Sequence, residues 1–441
     1  MIICACEARP CASVVKLLRG FSLQKISVKG GNVLKGSVEI SGSKNATLPV
    51  MAAVLLGQTP SIIRNVPYLN DIKTMAEVLR KLGAKASLED HTLAVDPSGF
   101  NQFEAPYELV KTMRASIHSM GACLARLGEA KVSLPGGCAI GARPIDLHLK
   151  GLEQLGATIT IEHGYVHAKA SKLKGSTIYL AGPHGPSLGA TVNVVMAATA
   201  AEGTTVIESA SIEPEVEDLV HCLIAMGAQI EGNGTSKLVI HGKKTLKGVD
   251  YSVIPDRVEA GTFMVAAAIT RGDVLLKKAN ADQLSAVIDK LRQIGVSVEV
   301  EVDGIRVKCT GDYKPVDVMV LPYPGFPTDM QAQIMALLAT VPGNSMVTET
   351  IWENRFMHVF EMNRMGADIT IDRSHAVVKG VKQLTGAPVM ASDLRASAAL
   401  ILAGLVARGE TLVQRIYHLD RGYENIEQKL SALGADIARI N

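Results

Sequence analysis

Charged and polar side chains recur at one phase of a repeated pattern, at the start of helices rich in small apolar residues. The recurring groups are Lys44 with Asn45, Arg114, Ser187 with Gly189, Asp256 with Glu259, Asp329, and Asp393 with Arg395. Free backbone amides and the helix dipole attract anions to helix N-termini. Facing sets of such starts, reinforced by Lys44, Arg114 and Arg395, therefore predict a cleft for phosphates or carboxylates. A helix cap or a solvated helix end is the alternative for each residue taken alone.

A second candidate for chemistry is the segment PGGCAIGARP, from Pro135 to Pro144. Its glycines and prolines disfavour both helix and strand, so it predicts a surface loop of the kind that closes on a ligand. Arg143 follows Cys138 by five positions, and a nearby cation favours the thiolate. A lone cysteine is more often a small buried hydrophobe, but its place in this loop makes Cys138 a candidate functional thiol. Three further cysteines lie in apolar helices or a strand and are interpreted as structural: Cys123, Cys222 and Cys309.

Two other motifs carry groups of interest. Arg421 lies in YHLDRGYENIE, after a predicted strand, and is either a further cation of the cleft or a solvated charge at a helix start. TETIWENRFMHVFE, which holds Ile351 and the only tryptophan, Trp352, is equally typical of packing between a strand and a helix. The sequence contains no GxxxxGK[ST], GxGxxG, HExxH or Gly-x-Ser-x-Gly motif in the required context. Nucleoside triphosphatases, dinucleotide enzymes, zinc enzymes and serine hydrolases are therefore disfavoured.

The elements that must position these groups repeat along the chain. An amphipathic helix ending in Gly and a small residue occurs six times, at intervals of 68 to 73 residues, with its glycine at Gly83, Gly156, Gly227, Gly295, Gly366 and Gly434. Alternating polar and apolar residues follow each glycine, which predicts a helix C-terminus leading into a strand. A second helix, apolar on most faces and so predicted to be buried on all sides, closes at Gly57, Gly128, Gly203, Gly272, Gly343 and Gly409.

Each unit of about 70 residues thus contains two helices and several strands, and exceeds the usual solenoid repeat of about 20 to 50 residues. Six units nearly exhaust the chain. Three units around each of two cores is the arrangement that we expect. We place the crossover between the cores in the polar segment from His241 to Pro255.

Composition narrows the classes of function. The 441 residues are 47% apolar and 20% charged, which is typical of a globular protein of two or three domains. A formal charge of +2 and 4% aromatic residues disfavour nucleic acids and acidic membranes as partners and favour small ligands. Ten-residue apolar runs are too short to span a membrane, which needs about 20. The seven cysteines lack the spacing of metal ligands, and Glu7 and Arg9 interrupt the only stretch that resembles a leader. We therefore predict a cytoplasmic protein with reduced thiols.

From about Lys25 to the C-terminus, the motifs together resemble the enolpyruvyl transferase family. The resemblance lies in SGSKNATLP, TMRAS, LPGGCAIGARPIDLH, FPTDMQAQ, SDLRASA and YHLDRGYE. The cysteine loop and RPIDLH are similar to the UDP-N-acetylglucosamine 1-carboxyvinyltransferase branch, which begins peptidoglycan synthesis, rather than to the sister 3-phosphoshikimate branch. The resemblance implies two inside-out α/β domains, each of three βαβαββ repeats. One would comprise 1–43 and 254–441, with 1–24 as a tail, and the other 44–253, with crossings near Ser43 and Ile254.

The resemblance also implies which residues bind the two substrates. Phosphoenolpyruvate would be held by Lys44, Asn45, Arg143 and Arg421, with Cys138 as the proton donor. UDP-N-acetylglucosamine would be held by Arg114, Arg143, Pro144, Ile145, Asp146, Leu147, Ser187, Leu188, Asp329 and Ile351. Asp393 and Arg395 are added to the substrate site from their place at a helix start. A lysine common in the family is replaced by Gly185, which removes one expected contact to the nucleotide.

The chemistry of such a transfer matches these residue types. A sugar hydroxyl adds to C2 of phosphoenolpyruvate while C3 is protonated, and a proton and phosphate then leave. A base, an acid and cations around the phosphate and carboxylate are required. We predict that Asp329 is the base and that Cys138 is the acid. We also predict that Cys138 is the target of the epoxide fosfomycin. The predicted cations are Lys44, Arg143, Arg395 and Arg421. No metal, organic cofactor or obligate protein partner is expected.

Two alternatives stay open at this point. The 3-phosphoshikimate enzyme would explain the repeats and the cations, but neither Cys138 nor the RPIDLH segment. A non-catalytic ring or clamp built from six repeats would explain the period but predicts a basic inner face, against the charge of +2.

Overall fold

The computed structural model describes residues 24–110, 113–134, 145–243, 245–309 and 311–441, and of Val110, Arg114 and Ala115 only the backbone. The predicted loop from Pro135 to Pro144, with Cys138 and Arg143, lies outside the described residues. So does the segment that precedes residue 24.

The strands of the described residues form six four-stranded sheets and one short hairpin. Three sheets contain strands between residues 61 and 252, and their strands are given in spatial order: β16 Asp250–Ser252, β3 Ser61–Arg64, β5 Thr92–Asp96, β4 Lys85–Glu89; β6 Glu104–Ala105, β7 Glu129–Ser133, β9 Tyr165–Lys169, β8 Thr158–Glu162; and β10 Thr177–Tyr179, β13 Thr204–Glu208, β15 Lys237–His241, β14 Gln229–Glu231. The other three sheets are, in the same form: β2 Lys35–Glu39, β17 Asp273–Lys277, β19 Gly304–Cys309, β18 Val296–Glu301; β20 Val318–Met319, β21 Asn344–Thr348, β23 His375–Lys379, β22 Asp368–Asp372; and β24 Pro388–Met390, β25 Glu410–Gln414, β1 Lys25–Lys29, β26 Asp436–Ile440. The hairpin joins β11 Ala181–Gly182 to β12 Gly185–Pro186. Every four-stranded sheet pairs its first two strands in parallel and the others antiparallel.

Thirteen α-helices connect these strands within the described residues. They are α1 Lys44–Ala53, α2 Asn70–Lys81, α3 Tyr107–Val110, α4 Ser119–Leu127, α5 Asp146–Gln154, α6 Leu188–Ala198, α7 Pro214–Ala225, α8 Arg257–Ile269, α9 Ser285–Ile294, α10 Gln331–Leu338, α11 His358–Arg364, α12 Leu394–Gly404 and α13 Ile426–Ala432. Short 3-10 helices occur at Val54–Leu56, Pro97–Gly99, Arg114–His118, Ala281–Leu284, Thr328–Met330 and Ile416–Arg421.

The helices that open with the predicted functional residues lie inside, and the sheets surround them. Every residue of α8, α10 and α12 is buried, as their lack of a polar face predicts. Strands such as β1 bury alternate residues, so one face of each sheet packs inward. This is the predicted inside-out α/β class with repeated βαβαββ units.

Two hydrophobic cores are built from different parts of the chain. The N-terminal core is formed by residues between 48 and 253, and the C-terminal core by residues 26–40 together with 258–437. Strand β2 precedes α1 but pairs with β17, whereas β16 precedes α8 but pairs with β3. The backbone N–H of Ser43 donates to the Ile254 carbonyl at 2.7 Å, where the two crossings run side by side. The division into 1–43 with 254–441 and 44–253 stays a prediction, with which these pairings agree.

The six glycines predicted to end helices all have positive φ, between +85° and +112°. Only glycine adopts this conformation without strain, so the prediction of a helix C-terminus at each is confirmed. At Gly83 a β-carbon would also lie 2.2 Å from the Gly99 carbonyl oxygen, so the turn has no room for a side chain.

Candidate active site

Charged residues from three separate units converge where the two cores face each other. Lys44 begins α1, Asp329 lies in the 3-10 helix before α10, Arg395 is in the first turn of α12, and Arg421 ends the last 3-10 helix. The charges of Asp329, Arg395 and Arg421 all act on Lys44. The structure therefore brings together four residues that were predicted from distant motifs.

Lys44 is fixed at the start of α1 by its neighbours. The Ser43 hydroxyl caps the helix by accepting from the Ala46 N–H, and the Lys44 N–H donates to Asp256 Oδ2 at 3.3 Å. Its side chain is 11% exposed, with Nζ 3.5 Å from Asp71 Oδ2. Burial lowers the pKa of Lys44, the Asp71 carboxylate opposes that shift, and Arg395 and Arg421 add to it. Asn45 is the second residue of the same helix.

Asp71, which the sequence analysis missed, links the two cores. It lies in the first turn of α2 and is buried. Arg421 Nε donates to its Oδ1 at 2.8 Å and Arg421 Nη2 to its Oδ2 at 3.3 Å. Asp71 thus holds Lys44 from one core and Arg421 from the other. An aspartate in the first turn of an amphipathic helix is ordinary, so the sequence carried no signal for this role.

Asp329 is held between two guanidinium groups. Arg355 Nη2 donates to its Oδ1 and Arg395 Nη2 to its Oδ2, each at 2.8 Å. Burial alone would raise the pKa of Asp329, but Arg395 and Arg355 outweigh it and hold that pKa well below its usual range. Arg355 belongs to the motif noted above for Ile351 and Trp352 and was also missed. In this state Asp329 is a counter-ion, and its role as base stays a prediction.

Asp393 acts as the cap of α12. Its Oδ1 accepts from the N–H groups of Arg395 and Ala396 at 2.9 and 3.0 Å, which orients the turn that carries Arg395. Contact of Asp393 with substrate stays a prediction. Arg395 Nη1 is buried and has no hydrogen-bond partner within the described part of the chain, so a substrate anion is a suitable partner for it.

Asp256 and Glu259, which the repeat placed among the candidate functional residues, make contacts at the crossing between the cores. Asp256 Oδ1 caps α8 by accepting from Val258 and Glu259 N–H groups at 2.8 and 3.0 Å. The Glu259 carboxylate accepts from the Ser41 N–H and from Lys429 Nζ, both at 2.7 Å. These contacts are structural, and Asp256 Oδ2 also accepts from the Lys44 N–H, so the place of the two residues in an anion cleft stays a prediction.

The residues predicted for the sugar nucleotide lie mainly at helix starts of the N-terminal core. Arg114 begins the 3-10 helix Arg114–His118, Ile145, Asp146 and Leu147 lie at the start of α5, and Ser187 caps α6, whose first residue is Leu188. The hairpin that precedes Ser187 reaches the other core. His184 Nδ1 lies 3.0 Å from the Thr350 carbonyl oxygen, next to Ile351, and a β-carbon on Gly185 would lie 3.1 Å from Pro322 Cγ.

Cys138, Arg143 and Pro144 lie outside the described residues, and the Arg114 side chain is not described, so the structure places none of these side chains. Among the residues that the structure does describe, no group of three or more His, Cys, Asp or Glu side chains is arranged to hold a metal ion. Over the same residues, every helix is too short or too polar to cross a lipid bilayer.

The fold and the buried cationic cleft are those of a transferase that handles anionic substrates. A family model described as EPSP synthase (3-phosphoshikimate 1-carboxyvinyltransferase) matches residues 28–430. The chain belongs to this enolpyruvyl transferase family.

Relatives with assigned names are similar to the chain over nearly its whole length. Two are called UDP-N-acetylglucosamine 1-carboxyvinyltransferase. The one from Desulfosudis oleivorans is 56% identical over 418 residues, covering 95% of this chain and 100% of the relative. The one from Halothermothrix orenii is 52% identical over 416 residues, covering 94% and 99%.

Solved structures share the fold. The enolpyruvyl transferase NikO from Streptomyces tendae superposes with a TM-score of 0.86 at 28% identity, over 94% of this chain and 98% of that one. EPSP synthase from Acinetobacter baumannii has a TM-score of 0.72 at 20% identity, over 95% and 100%, and at that identity shows the fold alone.

Proposed function

We propose that the protein transfers the enolpyruvyl group of phosphoenolpyruvate to the 3'-hydroxyl of UDP-N-acetylglucosamine and releases phosphate, the first committed step of peptidoglycan synthesis. Relatives that are 52% and 56% identical over about 95% of the chain carry the corresponding name. The 3-phosphoshikimate enzyme of known structure shares only 20% of its residues. We therefore favour the amino-sugar nucleotide over shikimate 3-phosphate as acceptor.

The observation that carries the proposal is the convergence of buried cations from both cores. Phosphoenolpyruvate presents a phosphate and a carboxylate a few bonds apart, and both need positive partners once water is excluded. Lys44, Arg395 and Arg421 lie around one region, and Arg395 keeps an unpartnered buried nitrogen there within the described chain. Preorganised charges in a desolvated site also stabilise the charge that develops during addition and elimination.

The acid–base steps assign further roles. As the sugar oxygen bonds to C2, its proton passes to Asp329, while Cys138 protonates C3. In the elimination the Cys138 thiolate takes a proton from C3, the C2–C3 double bond re-forms and the C2–O bond to phosphate breaks. Phosphate leaves, and Asp329 returns its proton to it or to solvent. A substrate anion that engages Arg395 weakens its pair with Asp329, which raises the pKa of Asp329 toward that of a useful base. The role of Cys138 rests on resemblance, and both steps need no cofactor.

For the nucleotide we propose contacts from residues of both cores. They are Arg114, Arg143, Pro144, Ile145, Asp146, Leu147, Ser187, Leu188, Asp329 and Ile351. We place the reaction in the cytoplasm.

Phosphate release from phosphoenolpyruvate tests the proposal directly. UDP-N-acetylglucosamine and shikimate 3-phosphate are compared as acceptors at equal concentration, with a no-acceptor control. We expect turnover only with the sugar nucleotide, with one phosphate released per enolpyruvyl product detected by mass spectrometry. Turnover with shikimate 3-phosphate alone, or with neither acceptor, would reject the proposed acceptor.

A further inference from the structure

One buried side-chain amide in the N-terminal core joins three chain segments. Asn193 lies in α6 and is fully buried. Its Oδ1 accepts from the Gly121 N–H at 2.8 Å, and its Nδ2 donates to the Ile117 carbonyl oxygen at 3.1 Å. The same Nδ2 lies 2.8 Å from Nδ1 of His148, which is also buried. The amide is a polar group with defined partners inside an otherwise apolar helix.

Each of the three joined segments begins with a residue proposed to hold the nucleotide. Ile117 belongs to the 3-10 helix that starts at Arg114, and His148 is the third residue of α5, which starts at Asp146. Asn193 itself lies in α6, whose cap is Ser187. The relative placement of these three starts therefore depends on what Asn193 and His148 contact.

The hydrogen-bond chemistry allows one arrangement of these groups. A backbone N–H can only donate and a backbone carbonyl can only accept, so Gly121 fixes the amide oxygen of Asn193 and Ile117 fixes its nitrogen. The nitrogen therefore faces His148, and His148 Nδ1 must accept. A neutral imidazole with its proton on Nε2 satisfies this requirement.

His148 packs directly against the first turn of α6, so the position of its ring limits where that turn can lie. A β-carbon on Gly189, in the first turn of that helix, would lie 2.9 Å from both Cε1 and Nε2 of His148. The imidazole thus lies directly against the backbone two residues after Ser187. On the opposite side, a β-carbon on Gly121 would lie 2.3 Å from the Asn193 carbonyl oxygen, so α4 and α6 also approach as closely as their backbones allow.

We propose that Asn193 and His148 are positioning residues for the sugar-nucleotide site. They set the spacing of the starts of the 3-10 helix Arg114–His118, α5 and α6, so that the residues there meet one nucleotide together. Asn193 joins residues of the N-terminal half of the molecule, whereas Asp329 and Arg395 belong to the C-terminal half. Their loss therefore weakens nucleotide binding rather than phosphoenolpyruvate use. The inference rests on the proposed function, because it takes UDP-N-acetylglucosamine as the ligand.

The test measures the Kd of UDP-N-acetylglucosamine by calorimetry, with the KM of each substrate and kcat, for Asn193→Ala, His148→Ala and His148→Asn. Misplacement of binding groups by a fraction of an ångström to 1 Å predicts a Kd and a nucleotide KM raised by about 10- to 100-fold in the two alanine variants. The KM of phosphoenolpyruvate and kcat at saturation should change less than about threefold. His148→Asn keeps an acceptor close to Nδ1 and should recover most of the affinity.

Thr199→Val is the matched control. It removes a buried hydroxyl that donates to the Met196 carbonyl oxygen at 2.7 Å, at the far end of α6, and it should leave the Kd unchanged. Thermal unfolding by circular dichroism checks each variant. If Asn193→Ala does not fold, the difference between His148→Ala and His148→Asn decides.

A folded alanine variant with the Kd of the control, or with equal losses for both substrates, would overturn the inference. Failure of the wild-type protein to bind UDP-N-acetylglucosamine would instead reject the proposed function.

Discussion

The two halves of the molecule repeat one architecture but bury different polar groups at their centres. In the N-terminal core the central group is Asn193 with His148, and it contacts the backbone of neighbouring helices. In the C-terminal core the central group is Thr262, Gln333 and Tyr423, whose polar atoms lie 2.8 to 3.2 Å apart. The same fold is therefore stabilised internally in two ways, by side-chain bonds to helix backbones in one half and by a cluster of side-chain hydrogen bonds in the other.

What each group supports also differs. Gln333 Nε2 donates to the backbone oxygen of Asp329 at 2.8 Å, and the Arg395 guanidinium lies 5.4 Å from the Tyr423 ring centroid. The C-terminal group therefore lies beneath the charged residues, whereas the N-terminal group lies behind the starts proposed for the nucleotide.

The largest effect is expected at Asp329. Asp329→Asn preserves the shape of the side chain but removes the proton acceptor, and such a group typically contributes about 10²- to 10⁴-fold to the rate. We expect kcat to fall by that factor while the Kd of UDP-N-acetylglucosamine changes little. Asp368→Asn, at an exposed carboxylate of the same half, is the control. Turnover near that of the wild type would exclude Asp329 as the base.

Asp71→Asn tests the link between the halves. Without the carboxylate, Lys44 and Arg421 lose their shared partner, and we expect kcat/KM for phosphoenolpyruvate to fall by about 10- to 100-fold, with about 3 kcal/mol lost in the free energy of unfolding. Because Asp71 raises the pKa of Lys44, its removal lowers that pKa further. The alkaline limb of the pH–rate profile should therefore move to lower pH. An alkaline limb at its wild-type position would show that Lys44 does not depend on Asp71.

Asp218 is a buried carboxylate whose pKa is shifted in the opposite direction to that of Asp329. Burial raises the pKa of Asp218 to about 6, although the Tyr251 hydroxyl donates to its Oδ1 at 2.7 Å and partly opposes that shift. The folded pKa exceeds the unfolded value, so the contribution of Asp218 to stability is complete below about pH 4 and is lost as pH rises through 6. We expect the free energy of unfolding to fall by about 3 kcal/mol more between pH 4 and 7 in wild type than in Asp218→Asn. Parallel pH dependence in denaturant titrations of both proteins would contradict this.

Tyr423→Phe has the smallest expected effect on activity. It keeps the ring beneath Arg395 but removes the hydroxyl that contacts Thr262 Oγ1 and Gln333 Nε2, which costs about 1–3 kcal/mol of stability. We expect kcat/KM for phosphoenolpyruvate to fall by about threefold to tenfold, because Asp329 and Arg395 lose part of their support. Steady-state kinetics with each substrate varied in turn measures this. An effect confined to the nucleotide KM would contradict it.

Sequence predicted the repeat and most of the charged cleft for physical reasons that can be named. Each unit needs a glycine with positive φ where its helix ends, so the same residue recurs in every unit. Charges at equivalent positions of the repeat lie close together when the units pack around one axis. The sequence does not distinguish Asp71 and Arg355 from ordinary surface or capping residues, because an acid in a first helical turn and an arginine before a short helix are common. The halves to which β2 and β16 belong were implied by the family resemblance and not by the strands themselves, since strands as short as KGSVE and DYS do not specify a sheet.

The protonation of Asp329 was beyond sequence for a related reason. Its type and position suggested a base, but its pKa is set by Arg355, 26 residues further along the same unit, and by Arg395 from the next unit. Asn193 offered a better signal. It is the one strongly polar residue in the apolar run LGATVNVVMAA, and a buried amide in such a run needs partners. That signal identifies a polar contact, but not the three segments that it joins.

The most direct test of the division between the halves compares Asn193→Ala and Tyr423→Phe in one experiment. The Kd of UDP-N-acetylglucosamine is measured by calorimetry and kcat/KM for phosphoenolpyruvate by phosphate release at saturating nucleotide. We predict a crossed result: Asn193→Ala loses about tenfold or more in nucleotide affinity and keeps its use of phosphoenolpyruvate. Tyr423→Phe keeps its nucleotide affinity and loses about threefold to tenfold in kcat/KM for phosphoenolpyruvate. Equal losses of both quantities in both folded variants would contradict the division of roles.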